Sequence, residues 1–225
     1  MKTTQLMATA TAALALALLQ GCATPPPPHD YRAFLEARPA ALLVMPPLND
    51  SPDVKATPGV WAHATRPLAE AGYYVLPVTL VDETFRQNGV QTAADAHGLP
   101  PKKLRDYFGA DAAVYLRVKQ YGSTYAVVAS DVKVEVEAKI IDLRSGQQLW
   151  EGKAMATSAE QRQQTQGGLA GLLIAALVKQ VMASATDSAL IWAAVANDRL
   201  LGVPRANGVL PGPRSPQAGQ PPVSR

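Results

Sequence analysis

From Asp131 to Ile140 the chain alternates without a break. Val132, Val134, Val136, Ala138 and Ile140 take turns with Asp131, Lys133, Glu135, Glu137 and Lys139. In a helix this order would spread charge around the whole circumference. In a strand it sends every apolar side chain to one face and every charge to the other. The segment is therefore read as a strand of an antiparallel sheet that is covered on one side and wet on the other. Val114, Leu116 and Val118 repeat the pattern against Tyr115, Arg117 and Lys119. Asp142-Leu143-Arg144-Ser145-Gly146 reads as a turn, and Gln147 to Ala156 as an antiparallel return strand. A second turn is expected at Tyr121-Gly122-Ser123, again joining antiparallel strands. The mixed-sign charged stripe is expected to be a solvated face that opposes edge aggregation.

The preceding segment has a different grammar. Ala40 to Met45 is a short apolar run stopped by Pro46-Pro47, which reads as a buried strand. Tyr73 to Leu76 is a second one. Between them lie a turn-rich loop from Leu48 to Pro58 and an expected helix, with Thr57-Pro58 as cap and first residue and Gly72 as its end. Pro67 is expected to kink or split that helix. Strand, helix and strand make a βαβ unit, so the two strands are expected to be parallel. Thr79 and Asp82 fit a capping pair for a helix ending near Asn88-Gly89. Thr92 to His97 and Pro100 to Phe108 read as shorter helices, and Tyr31 to Ala37 as another. After a polar loop from Ser158 to Gln166, apolar residues recur at helical spacing from Leu169 to about Leu200. The expected class is α/β at the border of α+β: a βαβ start, then antiparallel strands, in a mixed sheet packed by helices with a long helix at the C-terminal side. One domain is expected over 31–201, with a disordered Pro/Gly-rich tail over 202–225.

The N-terminal end reads as an address. Lys2 precedes an apolar run from Leu6 to Leu19, too short for a comfortable span, as in a secretory signal over residues 1–21. The run closes in Leu19-Gln20-Gly21-Cys22, the pattern resembling a bacterial lipobox, so lipidation is expected at Cys22. Cys22 is the only cysteine, which excludes an intramolecular disulfide. Pro25 to Pro28 make residues 22–30 a semi-rigid tether. Ala23 follows the cysteine where an Asp would argue for inner-membrane retention, so the outer membrane is expected, with the body in the periplasm or at the cell surface.

No catalytic constellation is legible. His29, His63 and His97 are isolated, with no pair at ligand spacing and no free thiol. There is no Gly-x-Ser-x-Gly elbow. Asp82-Glu83 fits the positive end of a helix dipole better than a pair of catalytic acids. Gly167-Gly168-Leu169-Ala170-Gly171 lacks the Lys and Ser/Thr of a phosphate loop. With 21 basic against 18 acidic residues there is no basic block to favour nucleic acid. No cofactor or metal is expected. The candidate interaction residues are Asn49, Asp50 and Asp53 in the loop, and Gly167, Gly168 and Gly171, whose small side chains would allow close helix contact between subunits of a homo-oligomer.

Several segments resemble a family of bacterial outer-membrane lipoproteins typified by a meningococcal surface-antigen lipoprotein. They are Val44 to Asp53, Thr65 to Val78, Val81-Asp82-Glu83-Thr84-Phe85, Phe108 to Ala112, and Asp142 to Gly152. The resemblance covers most of residues 40–200 and leaves out the tail. It implies a body similar to the N-terminal domain of TolB, with relatives in shape among lipoprotein activators of peptidoglycan synthases and CsgG-type secretion lipoproteins. It also implies a CsgG-like lipoprotein as partner, and it carries over no catalytic residue. The expected role is a non-catalytic accessory subunit of an envelope assembly. The alternatives are a periplasmic regulator of a peptidoglycan or envelope enzyme, which the short tether disfavours, and a hydrolase.

Overall fold

The computed structural model describes residues 28–125, 130–160 and 188–220. The described elements run α1 (Arg32–Ala37), β1 (Ala41–Val44), β2 (Leu48–Asn49), α2 (Ala56–Glu70), β3 (Tyr74–Val75) and α3 (Val78–Gln87). They continue with α4 (Ala93–His97), α5 (Pro101–Phe108), β4 (Ala112–Tyr125), β5 (Ser130–Asp142), β6 (Gln148–Thr157) and α6 (Ser188–Leu201). The strands form one mixed sheet in the order β3-β1-β4-β5-β6, with β2 also paired to β4. β1 is parallel to β3 and β4, as a βαβ start requires, and β4-β5-β6 is an antiparallel meander. The fold is thus a mixed α/β sheet packed by helices.

The alternation does what its period dictates. Val134, Val136, Ala138 and Ile140 of β5 are buried, beside Leu116 and Val118 of β4 and Trp150 and Ala156 of β6. Helices α2 and α6 cover this face. Val60, Ala64 and Leu68 of α2 join Trp192, Val195 and Leu200 of α6 in one core. Burial of each such side chain stabilises the fold by about 1.5–3 kcal/mol before conformational entropy is counted. Asn197, fully buried, donates its Nδ2 to Val60 O at 3.2 Å and Ala193 O at 3.0 Å, tying α6 to α2.

The structure departs from the sequence expectations in five places. Tyr121 to Ser123 is strand, not turn. β4 continues to Tyr125, and its register shifts between Val118 and Gln120. The extra residue reverses the parity of the strand, so Tyr121 returns to the buried face after the exposed Lys119 and Gln120. Helix α2 begins at Ala56, and Thr57, inside it, donates its hydroxyl to Pro47 O at 3.1 Å instead of capping. Pro67 does not split α2, because it lies in the last turn, where few helical bonds remain to be lost, and its ring is buried. The Thr79–Asp82 capping pair does not form; α3 starts two residues earlier on extended Pro77, and Asp82 pairs with Arg86 at 2.7 Å.

The fifth departure is the tail, which lies against the body as far as Ser215 as a strap. Val209 and Leu210 are buried, and three core donors end on its carbonyls: Tyr31 Oη on Gly208, Tyr73 Oη on Leu210 and Trp150 Nε1 on Asn207. Gly212 N–H donates to Ala71 O, and Arg214 N–H to Gly72 O. Gly72 has φ +94°, and a Cβ there would stand 2.3 Å from Ser215 N, so the strap can pass only over a glycine. Only the Ser188–Leu201 part of the expected long helix falls within the described residues.

Candidate functional site

The face of β4-β5-β6 opposite α6 carries the polar half of the alternation. Register places its side chains in rows across three strands. Arg117 lies opposite Glu137, which lies opposite Lys153; Tyr115 lies opposite Lys139, which lies opposite Glu151. Each carboxylate therefore faces a cation across a strand boundary, the arrangement in which opposite charges stabilise a pair by about 0.2–1 kcal/mol. The rows floor a hollow of about 730 Å³, walled by Leu48 and His97. These residues lie far apart in sequence, and only the meander brings them together.

His97, at the end of α4, stands edge-on to the Tyr115 ring with centroids 5.0 Å apart. Its Nε2 lies 2.9 Å from Pro46 O. Burial lowers its pKa below the ordinary 6.5, and Arg117 adds to this, while the Pro46 contact opposes it. The imidazole is therefore held neutral at neutral pH. It is the only described group with acid–base chemistry near neutrality at the hollow, and the lining holds no Ser, Thr or Cys for it to activate.

At one rim Asp50 accepts from Lys119 Nζ at 2.6 Å and from Arg117 Nη1 at 2.8 Å. The Lys119 bond lowers the Asp50 pKa; burial opposes it, and the charges of Arg117 and Lys119 tip the balance downward. The loop is built from its own polar groups. Asn49 Oδ1 accepts from Ser51 N–H and Oγ–H, Asn49 Nδ2 donates to Asp53 O, and Asp53 Oδ1 accepts from Lys55 N–H. The predicted residues Asn49, Asp50 and Asp53 thus stand together, with their side chains bonded inside the loop and to β4. The bonds hold up Val54, whose side chain is 86 % exposed at the tip.

Gly167, Gly168, Gly171 and Cys22 lie outside the described residues. Sequence reasoning did not single out Arg117, Glu137, Lys139, Glu151 and Lys153 as a site. Their signal is the alternation itself, whose outward half reads in the sequence alone as a solvated face. Among the described residues, no group of three or more His, Cys, Asp or Glu is placed to hold a metal ion. Among them too, no helix is long and apolar enough to cross a membrane.

A mixed sheet buried on both faces at β1 and open on a charged face along β4-β5-β6 defines a compact α/β body, and comparison with known proteins adds that it belongs to a lipoprotein. The family model for GNA1162-like lipoproteins matches residues 29–214, and the chain belongs to that family. The match runs through the strap, which the sequence resemblance had left out. The chain is 44 % identical over 188 residues to the lipoprotein NMB1124/NMB1162 of Neisseria meningitidis serogroup B, covering 84 % of this chain and 86 % of that one. The crystal structure of lipoprotein GNA1162 from Neisseria meningitidis matches with TM-score 0.53 and 44 % identity, over 65 % of this chain and all of that one. The C-terminal domain of LpoB from Salmonella enterica matches at TM-score 0.38 and 17 % identity, over 52 % of this chain and 81 % of that one, and carries no functional argument. The class brings membrane anchoring through lipid with it, and an association with the cell envelope.

Proposed function

We propose that this lipoprotein is a non-catalytic accessory subunit of an outer-membrane assembly or secretion complex, lipidated at Cys22, with a CsgG-like lipoprotein as partner. The observation that carries the reading is the open sheet face. It presents both signs of charge in fixed rows on the three longest strands, over a hollow of about 730 Å³, with rigid backbone beneath. A surface of this kind selects a partner by complementary charge more than by apolar burial. The loop between β2 and α2, with exposed Val54 at its tip, adds an apolar contact at one rim. The partner's identity comes from the family resemblance. The hollow's lining supports the non-catalytic part of the reading, since it holds no Ser, Thr or Cys for His97 to activate.

The test is capture of the tagged lipoprotein from crosslinked cells, with and without reversal of a row by Arg117→Glu and Lys153→Glu together. The CsgG-like lipoprotein is expected to be recovered with the natural chain and lost with the reversed row. A natural chain that runs alone after every mild extraction would overturn the reading. So would hydrolysis of an envelope substrate that depends on His97.

A further inference from the structure

Among the described residues β6 is the last strand of the sheet, and no strand pairs with its outer edge. Ser158 N–H, just past β6, donates inward to Val132 O at 2.9 Å, which makes the even-numbered residues those whose backbone groups face β5. From Glu151 to Thr157 the odd-numbered ones face outward, and three outward groups along β6 are covered by side chains. His29 Nε2 lies 3.1 Å from Leu149 O, Arg199 Nη1 donates to Met155 O at 2.8 Å, and Thr157 N–H donates to Glu160 Oε1 at 3.2 Å. Between these covers lie Glu151 and Lys153, both exposed. Among the described residues, nothing bonds to their outward N–H and C=O groups and nothing forms an ion pair with their side chains. Leu149 and Met155, whose carbonyls are covered, lie symmetrically on either side of Gly152. At the opposite edge of the sheet, β3 is only two residues long and the strap crosses beside it.

The symmetry of the open window selects the occupant. In an antiparallel pair about a two-fold axis at Gly152, Glu151 of one copy falls opposite Lys153 of the other, twice over. Both residues face outward, so each opposed pair exchanges two backbone hydrogen bonds. Sliding the partner by two residues sets Glu151 against Glu151, or Lys153 against Lys153, and like charges directly opposite are unfavourable. We propose that β6 is a self-recognition edge through which a second copy of this chain pairs, antiparallel and centred on Gly152, joining two sheets into one. The side-chain covers end the ladder on each side, and the two-fold axis closes it, so the product is a dimer and not a fibre. This inference stands on the backbone edge of β6, and its readout is self-association, which is separate from partner capture even though Glu151 and Lys153 also end the charged rows of the open face.

The experiment is sedimentation equilibrium of the full lipidated chain over a concentration series, in detergent matched to the density of the solvent. The natural chain is expected to show a monomer–dimer equilibrium. Glu151→Lys places Lys opposite Lys153 at both positions and is expected to weaken self-association at least about tenfold. The swap Glu151→Lys with Lys153→Glu restores opposite charges and is expected to return the natural strength to within about threefold. Lys153→Pro removes an N–H that β5 does not use, so dimerisation is expected to fall while the thermal midpoint holds. A natural chain that stays monomeric throughout would overturn the proposal. So would Glu151→Lys pairing as tightly as the natural chain, or a charge swap as weak as the single reversal.

Discussion

Asp111 stands where three segments meet. Its Oδ2 accepts from the N–H groups of Ala40 and Ala41 at 3.0 Å each, and its Oδ1 accepts from Arg144 Nη2 at 2.6 Å. One carboxylate thus holds the start of β1, the start of β4 and the β5–β6 turn in register. Burial pushes its pKa up, but the two backbone N–H groups and Arg144 outweigh burial and hold it below the ordinary 3.8. Hydrogen bonds to a charged group contribute about 1.5–3 kcal/mol, and Asp111→Asn keeps the shape while losing the charge. The variant is expected to be less stable than the natural chain by about 1–3 kcal/mol at neutral pH, read from urea midpoints. The sign of the pH dependence follows from linkage. Below the ordinary carboxylate value the unfolded chain binds the proton that the folded chain resists, so the stabilisation is complete above that value and disappears as pH falls through the depressed one. The gap between natural and variant chains is therefore expected to close on acidification. A gap that persists unchanged would show that geometry matters at this position and charge does not.

The strap is the element whose removal separates packing from mere attachment. Deleting residues 216–225 leaves Val209, Leu210 and the three accepting carbonyls in place and is expected to change stability by less than about 1 kcal/mol. Deleting residues 206–225 exposes the core beneath Val209 and Leu210 and leaves the Tyr31, Tyr73 and Trp150 donors without their partners. The longer deletion is expected to cost at least about 3 kcal/mol, or to prevent folding, as thermal unfolding of the two truncations would show. Equal midpoints would mean that the strap is decorative. It also shows what was legible in the sequence. Strands β4 to β6 could be read because a period of two has one physical meaning, and the β1–β3 unit because helix and strand punctuation were intact. The strap could not, because Pro and Gly serve a chain laid over a surface as well as one free in solution, and its anchors are backbone carbonyls that any sequence has. The bulge at Lys119 was hidden for a related reason: parity is reversed by one extra residue, and the sequence around it looked like a turn. The open face was legible as a set of charges but not as a site, since cross-strand rows exist only once the register is fixed.

At the scale of the whole molecule, the distance between body and membrane decides how it works. His29 is already clamped to the body, its N–H donating to Asn207 Oδ1 at 3.1 Å and its ring lying on Leu149 O. Six residues lie between Cys22 and His29, and the seven Cα–Cα steps, fully extended, reach no more than about 25 Å. A lipid at Cys22 would therefore keep the sheet close to one membrane, far from any enzyme on the other side of the periplasm. It would also concentrate copies in two dimensions, where a short ladder such as the one proposed for β6 gains from effective concentration what it lacks in length. Cys22→Ser is expected to release a soluble body whose urea midpoint matches that of the natural chain, because the described body is held by contacts among residues from His29 onward. The same variant is expected to fail in the envelope assembly and to self-associate at least tenfold more weakly than the natural chain on lipid vesicles, by the same effective-concentration argument. Full rescue of the assembly by the soluble form would show that anchoring is incidental. A soluble body that unfolds at lower urea would instead show that the anchor region contributes to the fold itself.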